Sequence, residues 1–465
     1  MKLRMIKSLC MASLATALFT LPSCQKFLDS KPSSSQVIPS KLKDLRAMMD
    51  NNGKINNQGA TSVLEHYSDY FKMDKEDLDK LTYTTKEFYT FGQDYYTEQF
   101  FLNGWTYSFT PVYYANTVLD LLPKVKNDDP VEWRRIKGAA LFVRANAFFH
   151  LLKCFSPIYI KGDEAANKKP GIPLRLDPDV NAISKRSTVK EAYEQVVADL
   201  KEAIQLLPPK EQYNTRPDKA SAYGSLSRVY LVMQEFELAG KYADSSLKID
   251  HSLFDFNELD LNAQLPFENY NKETLYYSTS TSTDLFYPTR NGYIDNNLVA
   301  SYDENDLRKA AFFLIDNKGH SQFKGSYTGS SSGSFMIGVC VDEMYLTLAE
   351  SHARAGRKED AMTALNTLLE TRWRTGTFVP LTAANAQDAL EIVLAERKKS
   401  LIYRGVRVMD QRRLNLEPQF AKPVVRVMDP GGENLTYTLA PNDLRYVFLL
   451  PHDVVQVTGM PQPER

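Results

Sequence analysis

The chain has 465 residues, a formal net charge of −1 and a mean hydropathy of −0.38, so it can bury one large core or several and reads as a globular body. Near-neutrality excludes the basic field that tracks nucleic-acid phosphates, and beyond the first residues no apolar run is long enough to span a bilayer. The residues that stand out are 26 Tyr and 24 Phe against 3 Trp, and a phenol can stack on a flat ligand face and hydrogen-bond at once, although most such rings belong in a core.

Lys2, Arg4 and Lys7 precede an apolar run over residues 9–21, the pattern of an export leader and not of a membrane span. The leader stops at Leu21-Pro22-Ser23-Cys24, which resembles the bacterial lipobox; that resemblance implies cleavage before Cys24 and lipid attachment there. Residues 1–23 are therefore expected to be a lipoprotein signal peptide. Residues 24–41, with Lys31-Pro32-Ser33-Ser34-Ser35 and Pro39, are expected to be a lipidated tether, and 42–465 a single body. Of the four cysteines, Cys10 leaves with the leader and Cys24 takes the lipid. Cys154 and Cys340 sit in apolar runs that favour two buried thiols, and a disulfide between them stays open on sequence grounds.

In the body, Leu42, Leu45, Met48 and Met49 predict a helix over 42–50 closed by Asn51-Asn52-Gly53, followed by a loop-rich stretch over 67–105. Trp105 opens a helical pattern through Tyr113, Asn116 and Leu119 to Pro123, and Ile136, Ala140, Val143, Ala147 and Leu151 predict a helix over 131–155. After a proline-punctuated connector over 170–178, Ser187-Thr188-Val189-Lys190-Glu191 reads as a cap followed by acid in the first turn. Val189, Tyr193, Val196, Val197, Leu200 and Ile204 form the stripe of the helix that follows, stopped by Pro208-Pro209.

Residues 187–250 and 341–414 read as helical-repeat segments. Tyr223, Leu226, Tyr230, Phe236 and Ala239 fall at tetratricopeptide positions, and Tyr345, Leu348, His352, Lys358 and Ala361 repeat the register, with Gly356 in the turn where Gln234 stands in the first copy. Two such copies cannot stand alone, so neighbouring helix pairs must stack beside them. Between the copies, residues 254–334 lose helical periodicity and read as a loop-rich insertion, the kind of segment in which binding residues concentrate. A helix is predicted over 386–403, then a densely basic run from Arg404 to Arg413, then a tail with short apolar runs.

Catalytic patterns are sparse. The six histidines are dispersed without ligand spacing, so no metal is expected, and no cofactor motif is present. Gly329-Ser330-Ser331-Ser332-Gly333 has the letters of a hydrolase elbow but lies in Ser/Gly-rich sequence and reads as a loop. Asp303-Glu304-Asn305-Asp306 lacks the glycine and terminal glutamate of a calcium loop and reads as a cap for a helix beginning at Leu307. The basic run, set beside Glu396 and Asp410, reads as internal ion pairs that lock the last helix to the repeat.

Taken in order, several motifs resemble the SusD/RagB family of outer-membrane nutrient-binding lipoproteins. They are Cys24 to Asp29; Trp105 with Tyr113-Tyr114-Ala115-Asn116; Arg144-Ala145; Asp199-Leu200 with Ala203-Ile204; Tyr345-Leu346 with Ala349-Glu350; and Glu396-Arg397, Gly405-Val406-Arg407 and Asp410 to Arg413. The chain departs from the family at Ser400-Leu401, Arg404-Gly405 and Pro461-Gln462-Pro463, which puts that part of the charge network in doubt. The resemblance implies a predominantly all-α, SusD-like helical fold with tetratricopeptide-type helix pairs and a loop-rich inserted region. It implies a non-catalytic lipoprotein on the outer-membrane surface that binds an oligosaccharide or polysaccharide and passes it to a SusC-like TonB-dependent channel. Expected ligand contacts are Tyr95, Tyr96, Tyr287, Arg290, Tyr293 and Tyr327, rings for sugar faces and a guanidinium for hydroxyls. Alternatives are a peptide-binding member of the same family, a surface glycoside hydrolase, and a structural subunit of the channel.

Overall fold

Helix starts follow their capping residues. In a computed structural model, described at residues 39–57, 64–96, 103–280, 292–330, 334–428 and 435–465, Asp129 accepts the N–H groups of Val131 and Glu132 with Pro130 at the first helical position, opening Pro130–Phe155. Thr188 and Glu191 close a capping box at Val189–Leu206, as do Asp218 and Ser221 at Lys219–Val232. Asp306 caps Leu307–Phe312, so the acidic run there serves a helix end as the sequence indicates.

The larger helices are α1 (Leu42–Met49), α2 (Asn103–Leu121), α3 (Pro130–Phe155), α4 (Val189–Leu206), α5 (Lys219–Val232), α6 (Phe236–Leu247), α7 (Val341–Arg354), α8 (Lys358–Glu370), α9 (Ala386–Ser400) and α10 (Arg407–Leu414). From α2 to α8 each packs on the next, and α9 also packs on α7, giving a predominantly helical stack. The contact of α6 with α7 crosses the whole insertion, so the two predicted repeat copies are neighbours in space although separated in sequence. Small residues permit that approach: a Cβ on Gly240 would lie 2.1 Å from the Ser351 hydroxyl oxygen on α7. Gln234 and Gly356, matched by the repeat register, both adopt left-handed backbone, with φ of 56° and 79°.

Buried charge ties this stack together. Arg144 on α3 binds Asp199 on α4 through both carboxylate oxygens at 2.7 Å and donates to the Asn116 side-chain oxygen on α2 at 3.1 Å. On α7, Glu343 accepts from Arg228 at 2.8 Å, Asp342 from Arg404 at 3.1 Å, and Glu350 from Arg354 and Arg413 at 2.8 Å each. Asp410 bridges Arg397 at 2.8 Å and Arg413 at 2.9 Å. Arg407 binds Asp69 at 2.7 Å, and Arg412 donates to the carbonyls of Lys153 and Ser156. The basic run is thus internal, and both departures take part in the network, Arg404 by donating to Asp342 and Ser400 by accepting from Arg308 at 2.8 Å.

The main apolar core runs from α1 to α5 and takes in Tyr446, Phe448, Leu449 and Leu450 from the tail. Phe448 donates its N–H to the Cys154 carbonyl at 2.8 Å, and Arg445 donates to the Phe91 carbonyl, also at 2.8 Å. Cys154 and Cys340 are buried thiols with no disulfide between them, and burial pushes each up to about 12.

The insertion differs from the loop reading. Its strands form short antiparallel pairs, two of them with segments outside it: β1 (Phe71–Lys72) with β5 (Tyr293–Ile294), β4 (Thr279–Ser280) with β8 (Phe335–Met336), and, within it, β6 (Phe313–Ile315) with β7 (Ser321–Phe323). The remaining pairs among the described residues are β2 (Pro170–Pro173) with β3 (Arg186–Thr188) and β9 (Val424–Met428) with β10 (Leu435–Leu439). A second core joins the insertion to its surroundings, with Phe256, Phe267, Phe312, Phe323 and Tyr327 from within it and Tyr70, Phe71, Tyr89 and Tyr403 from outside. Elements of two to six residues complete too few periods to register as patterns, which is why the sequence reads this region as loop.

The Glu350 pairing sets an expected pH response. Burial would raise its carboxyl, but Arg413 and Arg354 overcome this and hold it down to about 2, below its ordinary 4.5. The folded value lies below the unfolded one, so the stabilisation is complete above pH 4.5 and is lost as pH falls toward 2. Glu350→Gln should destabilise the protein at pH 7 by roughly 3–5 kcal/mol through its unmatched arginines. The gap between variant and wild type in urea denaturation should close as pH drops from 4.5 toward 2.

Candidate functional site

Of the five tyrosines and one arginine expected to touch ligand, Tyr293 alone is both described and part-exposed. Pairing of β5 with β1 places it beside Lys72 and leaves it half-buried. Its ring stacks on His320, with centroids 4.0 Å apart and planes 13° from parallel. His320 is aimed by the tight turn between β6 and β7: Asp316 accepts the N–H groups of Lys318 and His320 through one carboxylate oxygen at 2.9 Å, and the Gln322 amide through the other at 3.1 Å. The His320 backbone N–H holds the Asp316 carboxyl below its ordinary range.

Charged groups rim the stacked pair. Asp74 lies 3.8 Å and Asp316 3.6 Å from the His320 ring nitrogens, and Lys318 reaches Asp77 at 3.2 Å and Asp74 at 3.4 Å. Lys72 pairs with Asp295 at 3.3 Å. Burial, with Asp74 adding to it, pushes the Tyr293 hydroxyl up to about 12, so it remains a neutral donor and acceptor at any physiological pH. The result is a ring surface bordered by carboxylate acceptors and ammonium donors, an arrangement suited to holding a polyhydroxylated ligand without breaking bonds.

The other expected contacts fall elsewhere. Tyr95 is fully buried, stacked on Phe88 at 4.1 Å, and its hydroxyl accepts the Leu449 N–H at 2.5 Å and an Arg465 N–H at 3.1 Å. Tyr96 is buried and donates to the Leu449 carbonyl at 3.0 Å. Tyr327 is buried beneath the Arg404 guanidinium and donates to Glu273 at 3.1 Å. These three rings therefore present no face to solvent: the loop reading around 67–105 and 254–334 missed the apolar clusters that absorb them. Tyr287, Arg290 and the lipid-attachment residue Cys24 lie outside the described residues.

His320, Asp74, Asp316 and Lys318 were not found from sequence, because they meet only when β1, β5 and the β6–β7 turn come together. The one local signal was the turn Asp316-Asn317-Lys318-Gly319-His320. Among the described residues, no group of three or more His, Cys, Asp or Glu is placed to hold a metal ion. Glu65, which burial pushes up to about 7, is sealed in the core, accepting from Tyr70 at 2.6 Å and from the Gly405 N–H at 3.1 Å. Its weakened acidity follows from burial in the core, and it lies apart from the stacked pair.

Comparison with known proteins places these features in context. Residues 26–231 match a SusD-like family model described as starch-binding, associating with outer membrane. A SusD-like protein, P2, from Formosa agariphila is 25% identical over 351 residues, covering 62% of this chain and 67% of that protein. Among solved structures, a SusD superfamily protein from Bacteroides vulgatus superposes with a TM-score of 0.73 at 19% identity, over 91% of this chain and 99% of its own. One from Bacteroides thetaiotaomicron gives 0.71 at 19% identity, over 91% and 100%. A SusD-like carbohydrate-binding protein from Bacteroides vulgatus gives 0.65 at 19% identity, over 90% and 97%. These superpositions show a shared fold.

The hydroxyl of Tyr95 should matter to stability alone. Tyr95→Phe leaves the buried Leu449 N–H without its acceptor and should cost about 1–3 kcal/mol in urea unfolding. An unchanged midpoint would contradict the packing described.

Proposed function

We propose, from the premise that this chain belongs to the SusD-like family, that it is a non-catalytic surface protein that captures an oligosaccharide or polysaccharide and delivers it to a SusC-like TonB-dependent outer-membrane channel. The observation that carries the ligand class is the stacked Tyr293–His320 pair with its border of Asp74, Asp316, Lys72 and Lys318. A sugar offers C–H faces to rings and hydroxyls to mixed donors and acceptors, and a part-exposed site permits release to a transporter. Starch binding in the matching family model and carbohydrate binding in the Bacteroides vulgatus structure support the same class.

In this reading residues 1–23 are the leader and Cys24 carries the lipid. Residues 24–41 tether the body 42–465 at the outer-membrane surface. The anchor raises the concentration of the binding body at its channel, so capture and delivery proceed without tight affinity between the two proteins in solution.

Two measurements test this. In isothermal titration against a panel of oligosaccharides, Tyr293→Ala should weaken binding about tenfold, the worth of one stacked ring; affinity unchanged by the substitution would remove the platform from the site. Cys24→Ala should leave binding in solution intact and impair uptake by cells, and a loss of soluble binding would refute the separation of anchor from binding body.

A further inference from the structure

A cavity of about 570 Å³ opens between the end of α1, the connection from α4 to α5, and the turn at residues 270–275. Its volume falls in the range of small-molecule sites, and it shares no residue with the Tyr293 platform. Two rings flank it, Tyr213 at 54% exposure and Tyr270 at 50%. Both are far more open than core packing needs.

Tyr270 is held out at a conformational cost. Its backbone is left-handed, with φ of 58°, a region that disfavours a bulky side chain. The ring rests against Tyr277, with centroids 4.5 Å apart, and is not tucked beneath it. Stability alone would place glycine here.

Asn271, next in sequence, is only 6% exposed and lines the cavity. Its side-chain oxygen accepts the Glu273 N–H at 3.2 Å and the Thr274 hydroxyl at 3.3 Å, which fixes the orientation of the amide. The amide nitrogen is buried and has no hydrogen-bond partner. A buried donor without an acceptor is costly, and a small shift of the amide toward the cavity it lines would let a ligand oxygen satisfy it.

The charges say what kind of ligand fits. Arg216 is paired with Asp50 through two bonds of 2.7 and 2.8 Å, Lys210 with Asp250, and Lys272 with Glu258 at 3.7 Å. These three cations of the lining are each matched by a carboxylate, so the cavity offers no uncompensated positive charge to an acidic group. What it does offer is two ring faces, one unsatisfied amide donor and a balanced polar wall.

We propose that this cavity is a second saccharide-binding site, selective for neutral sugars over uronic acids. The assignment deepens the carbohydrate reading above and rests on it for the ligand class, while its location rests on Tyr213, Tyr270 and Asn271. A long glycan chain could then be held at two places by one protein, and short fragments would bind each place independently.

The test is isothermal titration of the full chain with maltohexaose, cellohexaose, laminarihexaose and xylohexaose, and with hexagalacturonate as the acidic probe. Three proteins are compared: wild type, Tyr213→Ala/Tyr270→Gly, and Tyr293→Ala. The glycine suits the left-handed backbone, so the double variant should keep the wild-type melting temperature. At least one neutral hexasaccharide should bind at two sites, one of which weakens about tenfold or more in the double variant and not in Tyr293→Ala. A single site lost only in Tyr293→Ala would overturn the cavity and leave the platform standing. A single site lost only in the double variant would support the cavity and overturn the platform. Tighter cavity binding of hexagalacturonate than of every neutral probe would overturn the neutral class, and no binding by any probe would overturn both readings.

Discussion

The structure depends on carboxylates buried along one helix and the arginines brought to them from distant parts of the chain. Asp342, Glu343 and Glu350 on α7 are matched by Arg404, Arg228, Arg354 and Arg413. Charges so deep are costly unless their geometry and hydrogen bonds are complete, and removal of one partner strands the other. The requirement acts as an assembly rule: α5, α7 and the chain around α10 must arrive together or not at all. Arg228 extends the rule to the end of the insertion by donating to the carbonyls of Ile337 and Gly338 just beyond it, and Arg372 reaches into it by joining Glu273 to the carbonyl of Phe254. The inserted region is moored to the helical stack by charge as well as by rings.

That mooring relates both proposed binding surfaces. The platform takes Tyr293 and His320 from the middle of the insertion, and the cavity takes Tyr270 and Asn271 from its beginning. Each is completed by residues outside the insertion: Asp74 and Lys72 for the platform, Asp50, Tyr213 and Arg216 for the cavity. The helices supply a rigid frame, and the variable chemistry sits in segments that the frame holds by a few strong contacts.

Much of the helical frame was legible in the sequence because long helices write their period many times over. The stretch from 131 to 155 and the capped helix after Thr188 needed no further information, and the equivalence of Gln234 with Gly356 followed from repeat register. The ordered motifs also acquire a physical meaning: Asn116, Arg144 and Asp199 come from three of them and meet in one buried cluster. The insertion was illegible for the opposite reason, since its strands are two or three residues long and the core that holds it is assembled from rings as far apart in sequence as Tyr70 and Tyr403. Tyrosine abundance there suggested binding, yet Tyr327 is buried, and Tyr270, whose exposure and backbone set it apart, looks ordinary in the sequence. Exposure is a property of tertiary packing that composition does not encode.

Residues 444–465 do something for the early part of the chain that nothing nearer could. Leu449 takes the hydroxyls of Tyr95 and Tyr96, Arg445 reaches the carbonyl of Phe91, and Arg465 that of Gly92, across more than 350 positions. Such contacts form late, because the loop they close is long and its entropy must be lost before they reward it. The aromatic cluster around Tyr95 is therefore complete only when residues 444–465 are in place. Without the distal segment, the hydroxyls of Tyr95 and Tyr96 and the carbonyls of Phe91 and Gly92 would lose these partners, so truncation at one end of the chain would be felt at the other.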